Sequence, residues 1–456
     1  MSAQEFDAFE TNTFGFNLPC RQFVIAAERT RERRLPMVDE FILRTLLVVK
    51  SIPADRLARF FGFEGRDLGI AISDLQSRGL VSVDGDNLGL HPSAREMFRT
   101  SAEDAPTITV AEPLNADVWF DLVTKHMVSG RGLRNVQYLV QIPARQQLDE
   151  SEARRAFHDN FRDYLRIARN DQKADQWSLY SILDVHAGRY SFVQVGGSER
   201  LTLQGVPRLE PSLHLRDGED RGRTRQLTEA MVAELRKLDH VAPSQASFGE
   251  FARMFSQRDC ARWLGPQGTF DLAAWYQDEM GAGLAHTVPL VGYPYVERNR
   301  RAVADLLEDA PLDVNGDQRW QAWWLRPGGS MWGATEDVPS TLEALRGVVR
   351  ARSKRGTLSS VLVSPASIAD QVSRGYARVF EMGVRAPVKK VPTALEVILV
   401  ADCVAVVSVM VALSDSVSVP IGYATADEAR VRCIRELSSI GELVREGTRL
   451  WPQANR

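Results

Sequence analysis

Seven histidines are the first place to look for chemistry in this chain: His91, His126, His158, His186, His214, His240 and His286. None stands in HExxH, HxH or HxK spacing, so neither a metal pair on one helix face nor a histidine nucleophile beside a charge-neutralising lysine is spelled out. The nearest look-alike is His214-Leu215-Arg216, followed by Asp217, with arginine where that lysine would stand. It reads as a loop or strand-end histidine. Glu210, Asp217, Asp220 and Glu234, with Lys237, are residue types from which a metal-dependent nuclease is assembled, but they lack a diagnostic strand spacing. No GxxxxGK[ST] loop is present to cradle phosphate, and no GxSxG elbow to present a serine. Gly328-Gly329-Ser330, after Arg326-Pro327, reads as a structural turn. Cys20, Cys260, Cys403 and Cys433 are far apart, without CxxC or Cys/His metal spacing, and read as thiols of a reducing cytoplasm. The expectation is no catalytic residue, no metal and no cofactor.

Binding is the class that remains. Trp320, Trp323 and Trp324, with Trp332 close by, carry rings that could stack on a base, but alternate tryptophans also plug a core, and the core is the expected place. VGYPYVERNRR, Val291 to Arg301, brings Arg298, Arg300 and Arg301 to a helix start on the surface. The densest basic run is RQFVIAAERTRERR, residues 21–34, which is compatible with a helix whose Glu28 and Glu32 pair locally with arginine. The formal net charge is -3, so any attraction to nucleic acid must come from such a local patch.

The elements that would position these residues can be read along the chain. At 456 residues, with 44% hydrophobic and 25% charged content, several globular domains are expected. MSAQEFDAFETNTFGF has no basic region followed by an apolar core, so no signal peptide is expected. Residues 1–36 read as a leader with the Arg-rich helix. Residues 37–100 read as helix, helix, helix, hairpin and helix. In that unit Phe41, Leu43, Leu46 and Leu47 are read inward from the first helix, Leu57, Phe60 and Phe61 from the second, and Leu68, Ile72 and Leu75 from the third. Gly79 ends the third helix, and the Asp84-Gly85-Asp86 turn closes the hairpin. Residues 101–116, with two prolines, read as a linker. Residues 117–284 read as a mixed α+β domain: helical to about 172, then three strands with turns at His186-Ala187-Gly188 and Gly196-Gly197-Ser198, a charged loop at 216–224, and helices again. Residues 285–456 alternate helices with strands as an α/β domain that ends in one long helix with a threonine N-cap. The apolar run Leu395 to Leu413 contains Glu396 and Asp402 and is rich in valine, so it is read as two buried strands joined near Ala401-Asp402-Cys403 and not as a membrane span. The fold class expected is multidomain α+β.

The series from residue 37 to 100 resembles the winged-helix family, most specifically in LQSRGLVSVDGDNLGLHPSA, which looks like a recognition helix running into its wing. Within residues 285–456, about 100 residues resemble, more distantly, the phospholipase-D-like domain attached to winged helices in some prokaryotic regulators. The active family carries HxK, which is missing here, so that resemblance implies a domain that binds or dimerises. A winged helix reads duplex DNA with its third helix in the major groove. Here the contacts would come from Arg66, Ser73, Ser77 and Arg78, with Arg29, Arg31, Arg33 and Arg34 tracking phosphates from the upstream arm. Asp67, Asp74 and the acidic wing tip work against that role. Two readings therefore stand. One is a non-enzymatic DNA-binding protein, a prokaryotic transcriptional regulator with a sensing or dimerising C-terminal region. The other is an adaptor subunit of a multiprotein bacterial assembly, such as an antiviral defence complex, with the winged helix as its docking module. The expected partners are double-stranded DNA, other proteins or a second copy of the chain. A membrane is not expected.

Overall fold

The computed structural model describes residues 8–100, 107–145, 147–167, 169, 172–214, 221–255, 260–265, 267–312, 319–353, 355–387 and 392–451. It begins with a strand of 27 residues, β1 (Ala8–Arg34), where a leader and an Arg-rich helix were expected. The burial pattern explains the difference. Phe23, Ile25 and Ala27 are buried while Val24 faces solvent, which is the period of two of a strand half-covered by a core. Local helix propensity loses to pairing on both edges of β1.

A compact module follows β1: α1 (Met37–Val49), β2 (Ser51–Pro53), α2 (Ala54–Phe61), α3 (Gly65–Ser77), β3 (Val81–Asp84), β4 (Asn87–Leu90) and α4 (Pro92–Thr100). The sheet order β2-β4-β3 and the Gly85 turn, with φ of 58°, complete a winged helix. Ile42, Leu43, Leu46, Leu57, Leu68, Ile72 and Leu75 form its core with Leu88 and Leu90 of the hairpin. Two residues expected inside are outside: Phe41 is 54% and Phe60 71% exposed.

The chain then returns along β1. Residues 101–106 of the expected linker lie outside the described residues. Residues 107–116 are not a linker: they begin β5 (Thr107–Asp121), which runs antiparallel to β1 from Arg34↔Thr107 to Cys20↔Asp121. The winged helix is thus an insertion at the tip of a long hairpin. β6 (Met127–Val128) and β7 (Val140–Gln141) are short, and helix resumes only at α5 (Glu150–Asp159) and α6 (Phe161–Ile167). A capping box between Asp149 and Glu152 starts α5. Phe157, Phe161 and Tyr164 pack these helices onto Phe23, Ile25 and Phe120 of the ribbon.

β8 (Trp177–Thr202) runs straight through both of the turns expected at 186–188 and 196–198. Its glycines serve packing and not reversal. A Cβ on Gly197 would lie 2.2 Å from the Phe14 ring and 2.7 Å from the Ser212 carbonyl oxygen. Register shifts in the β1–β8 pairing absorb the irregularity. β9 (Arg208–Leu213) closes this sheet, of order β6-β5-β1-β8-β9 with β7 parallel to β1.

After α7 (Arg221–Leu235), α8 (Gln245–Met254) and α9 (Leu272–Ala282) come β10 (Thr287–Val291), α10 (Glu297–Asp309), β11 (Arg319–Leu325), α11 (Asp337–Arg352), β12 (Thr357–Ser364), α12 (Asp370–Arg374), β13 (Met382–Arg385), β14 (Leu395–Val400), β15 (Val404–Ala412), β16 (Ser418–Thr425), α13 (Glu428–Ser438), α14 (Ile440–Glu446) and β17 (Thr448–Trp451). Their sheet has the order β10-β16-β15-β14-β11-β12-β13-β17. The α10 and α11 side chains cover one face around Trp324 and Ile398. Those of α8, α9, α13 and α14 cover the other around Val397 and Val407. β14 and β15 are the two strands expected in the valine-rich run, joined through Ala401 and Asp402 in left-handed conformations. Among the described residues no helix is long and apolar enough to cross a membrane. The final helix is broken at Ser439, and Asp427, not a threonine, caps its first half. The whole is a multidomain α+β protein. Its two larger parts meet where the start of β1 lies on the C-terminal domain: the Gly15 amide donates to the Ala334 carbonyl at 2.7 Å and the Tyr293 amide to that of Thr11 at 2.8 Å.

Candidate interaction site on the winged helix

The outward stripe of α3 carries Arg66, Asp67, Ile70, Ser73, Asp74 and Ser77, all exposed. This is the face that a groove-reading helix would present. It holds one arginine against two aspartates, and at its centre stands Ile70, 64% exposed. Asp84 and Asp86 are exposed at the wing tip. The Ser77 hydroxyl donates to the Asp74 carbonyl at 2.8 Å. Arg78 is drawn inward. Its Nη2 donates to Asp39 Oδ2 on α1 at 2.8 Å and also contacts the Asp74 carboxylate. Arg78→Ala is expected to cost about 1–2 kcal/mol, because Asp39 is nearly buried and loses its partner. Faster hydrogen exchange in α1 and α3, with β14–β16 unchanged, is the measurement.

The upstream arginines divide in the same way. On a strand, residues two apart share a face, and Arg29 and Arg31 both stand over Trp177, with guanidinium carbons 3.6 and 4.5 Å from its ring centroid. Both also pair with Glu112 on β5, at 3.3 and 3.0 Å. They are the internal clamp of the ribbon. Arg33 and Arg34 are exposed where the ribbon meets the winged helix. Of the eight residues read as DNA contacts, the fold brings Arg66, Ser73 and Ser77 together on α3, sets Arg33 and Arg34 at the ribbon tip, and turns Arg29, Arg31 and Arg78 into internal contacts.

A second surface was missed. Along α1, Val38, Phe41 and Val48 fall at spacings of three and seven on one face, exposed by 45%, 54% and 80%, with Met37 and Val49 beside them. Reading Phe41 as a core residue hid it. The signal was present in the period: Ile42, Leu43 and Leu46 already fill the inward face.

The residues weighed for catalysis do not converge. His214 Nε2 lies 3.2 Å from the Ser198 hydroxyl, across the β8–β9 pair. Leu215, Arg216, Asp217 and Asp220 lie outside the described residues. Glu234 pairs with Lys237 at 2.7 Å. Among the described residues no group of three or more His, Cys, Asp or Glu side chains is placed to hold a metal. The polar centre of the C-terminal domain is elsewhere and is fully buried. Glu396 Oε1 accepts from the indole N–H of Trp324 at 2.8 Å and of Trp332 at 2.9 Å, and its Oε2 from the Ser408 hydroxyl at 3.2 Å. Burial pushes the Glu396 carboxyl up to about 7 despite these donors. Arg326 stacks on Trp332 at 4.6 Å and donates to the Gly329 carbonyl at 2.6 Å. Trp320, Trp324 and Trp332 are thus core residues, and Trp323 is half-buried.

No family model matches the chain, and no curated protein matches it. Among solved structures it is similar to NucT from Helicobacter pylori, at 10% identity and a TM-score of 0.24, over 36% of this chain and 98% of that one. It is also similar to TrmBL2, an archaeal chromatin protein whose structure is described as showing a novel mode of DNA binding, at 7% identity and a TM-score of 0.24, over 91% of this chain and 94% of that one.

Proposed function

We propose that the chain is a non-enzymatic, cytoplasmic adaptor subunit of a bacterial multiprotein assembly, and that its winged helix docks on a protein partner. The observation that carries this reading is the face of α3: Ile70 stands exposed among Asp67, Ser73 and Asp74, while Arg78 is spent on Asp39. Most of the non-specific affinity of a groove-binding module comes from cations that displace counterions, and this face has few to offer. An exposed apolar centre with an acidic rim suits a partner surface that is apolar at its middle and basic around it.

A duplex titration tests this directly. Association with a 20-base-pair duplex at about 50 mM salt is expected to be weaker than about 10 μM, within the non-specific range, and insensitive to Ile70→Asp. Ile70→Asp, at a site with little packing to lose, should leave stability within about 0.5 kcal/mol. It should also weaken the complex with the product of a neighbouring gene by about 30-fold, the scale of an apolar hot spot. Tight, salt-dependent duplex binding that Arg33→Ala/Arg34→Ala abolishes would reverse the reading. The observation favouring that second role, a DNA-binding regulator, is the exposure of Arg66 on α3 and of Arg33 and Arg34 at the ribbon tip.

A further inference from the structure

Between the β7 segment and α12 lies a cleft of about 680 Å³, lined by Asn135, Gln137, Gln141, Asp370, Gln371 and Arg374. That volume falls in the range of small-molecule sites. The geometry points to a binding site for a small, hydroxyl-rich anion, a phosphorylated or carboxylated polyol.

One wall is set from behind. Asn17 is fully buried on β1. Its Oδ1 accepts from the Val136 amide at 3.3 Å and its Nδ2 donates to the Val136 carbonyl at 2.6 Å. The same Nδ2 reaches Asn135 Oδ1 at 3.5 Å, and Gln141 Nε2 donates to that oxygen at 3.3 Å. Two donors on Asn135 Oδ1 fix which way this amide points, and leave its Nδ2 as a donor and Gln141 Oε1 as an acceptor on the exposed side. Hydroxyls, which both donate and accept, satisfy such a pair.

The other wall supplies charge. Asp370 is already paired with Arg385 at 3.0 Å, so its negative charge is largely answered. Arg374 is exposed, and among the described residues its guanidinium has no ion-pair partner. With Asp370 answered by Arg385 from outside the lining, the charge left to face a ligand is that of Arg374, the side chain best shaped to grip a phosphate or carboxylate. No aromatic side chain lines the cleft, so a planar ring finds no plate to stack on, and the polar contacts come from the amides and Arg374.

The two walls are held at a fixed distance. Tyr138 stacks on Tyr376 with centroids 5.4 Å apart, and the Tyr138 hydroxyl donates to Glu336 at 2.9 Å. Any Cβ on Gly375 would lie 3.2 Å from the Gln137 carbonyl oxygen. The segment from Asn135 belongs to the ribbon sheet and α12 to the C-terminal domain, so a ligand in the cleft ties the two together.

The test uses the full chain with glucose 6-phosphate and ribose 5-phosphate as probes, and glucose and inorganic phosphate as controls, by calorimetry and thermal unfolding. The sugar phosphates are expected to bind, and at 100 times the dissociation constant to raise the melting temperature by about 3 °C. Arg374→Ala should weaken them at least 10-fold, and Asn135→Ala by a similar factor, neither side chain being needed for the core. Three results overturn the inference: no binding of either sugar phosphate at 10 mM, inorganic phosphate binding as well as its esters, or variants that bind like the parent.

Discussion

Glu396→Leu is expected to lower stability by about 3 kcal/mol at pH 5, whereas Glu396→Gln at the same pH should stay within about 1 kcal/mol of the parent. Urea unfolding followed by tryptophan fluorescence is the measurement, since Trp324 and Trp332 are bonded to the group being changed. Leucine strands two buried indole N–H groups and the Ser408 hydroxyl. Glutamine keeps an acceptor for both indoles and offers its amide to Ser408. The pH dependence then separates charge from hydrogen bonding. With a folded value of about 7 against an ordinary carboxyl value of 4.5, the folded state holds its proton more tightly than the unfolded state. Stability contributed by this group therefore falls as pH rises from about 4.5 to about 7, by about 3 kcal/mol, and is level above that window. Glu396→Gln mimics the protonated form, so the difference between parent and variant should open in the variant's favour across that window. A difference that is flat from pH 5 to pH 8 would mean that the carboxylate is ionised throughout, with a charged partner as its reason.

What could be read from the residues, and what could not, follows from range. The winged helix is built from contacts between neighbours in sequence, such as Leu68, Ile72 and Leu75 against Leu46 and Leu88, and its periodicity and turn residues announce it. β14 and β15 are equally local, a valine-rich pair about one tight turn. β1 is different. Its residues 21–34 meet β5 some eighty positions later and β8 some one hundred and fifty later, and no window of local sequence contains either partner. The same arginines that read as a helix face are placed by Trp177 and Glu112. Gly188 and Gly197 misled for a related reason: a glycine that admits a neighbouring strand's side chain looks, in isolation, like a glycine that turns the chain. The cleft beside Asn135 was invisible because its walls come from residues more than two hundred apart.

The ribbon is also where the second large effect is expected. Trp177→Ala should destabilise the ribbon tip by about 4 kcal/mol, the cost of removing a buried tryptophan. Trp177 is nearly fully buried, sits opposite Arg31 in the β1–β8 register, and is the plate on which Arg29 and Arg31 rest. Hydrogen exchange should accelerate in residues 25–34, 107–116 and 178–186, while β14–β16 keep their protection, because the two regions share no core. Glu112→Ala is the control. It removes a partly exposed carboxylate but leaves the stack, and should cost less than about 1 kcal/mol. The functional consequence separates the two proposed roles. A docking module needs a stiff arm, so Trp177→Ala should weaken the protein complex although Ile70 and Phe41 are untouched. A phosphate-tracking arm would gain instead in Glu112→Ala, which removes the ion-pair partner of Arg29 and Arg31, and the salt dependence of duplex binding would steepen by about two counterions. Stronger, steeper DNA binding in Glu112→Ala would therefore assign the ribbon arginines to nucleic acid. Unchanged DNA binding, with a complex lost only in Trp177→Ala, leaves them as the clasp that holds the winged helix in place for its partner.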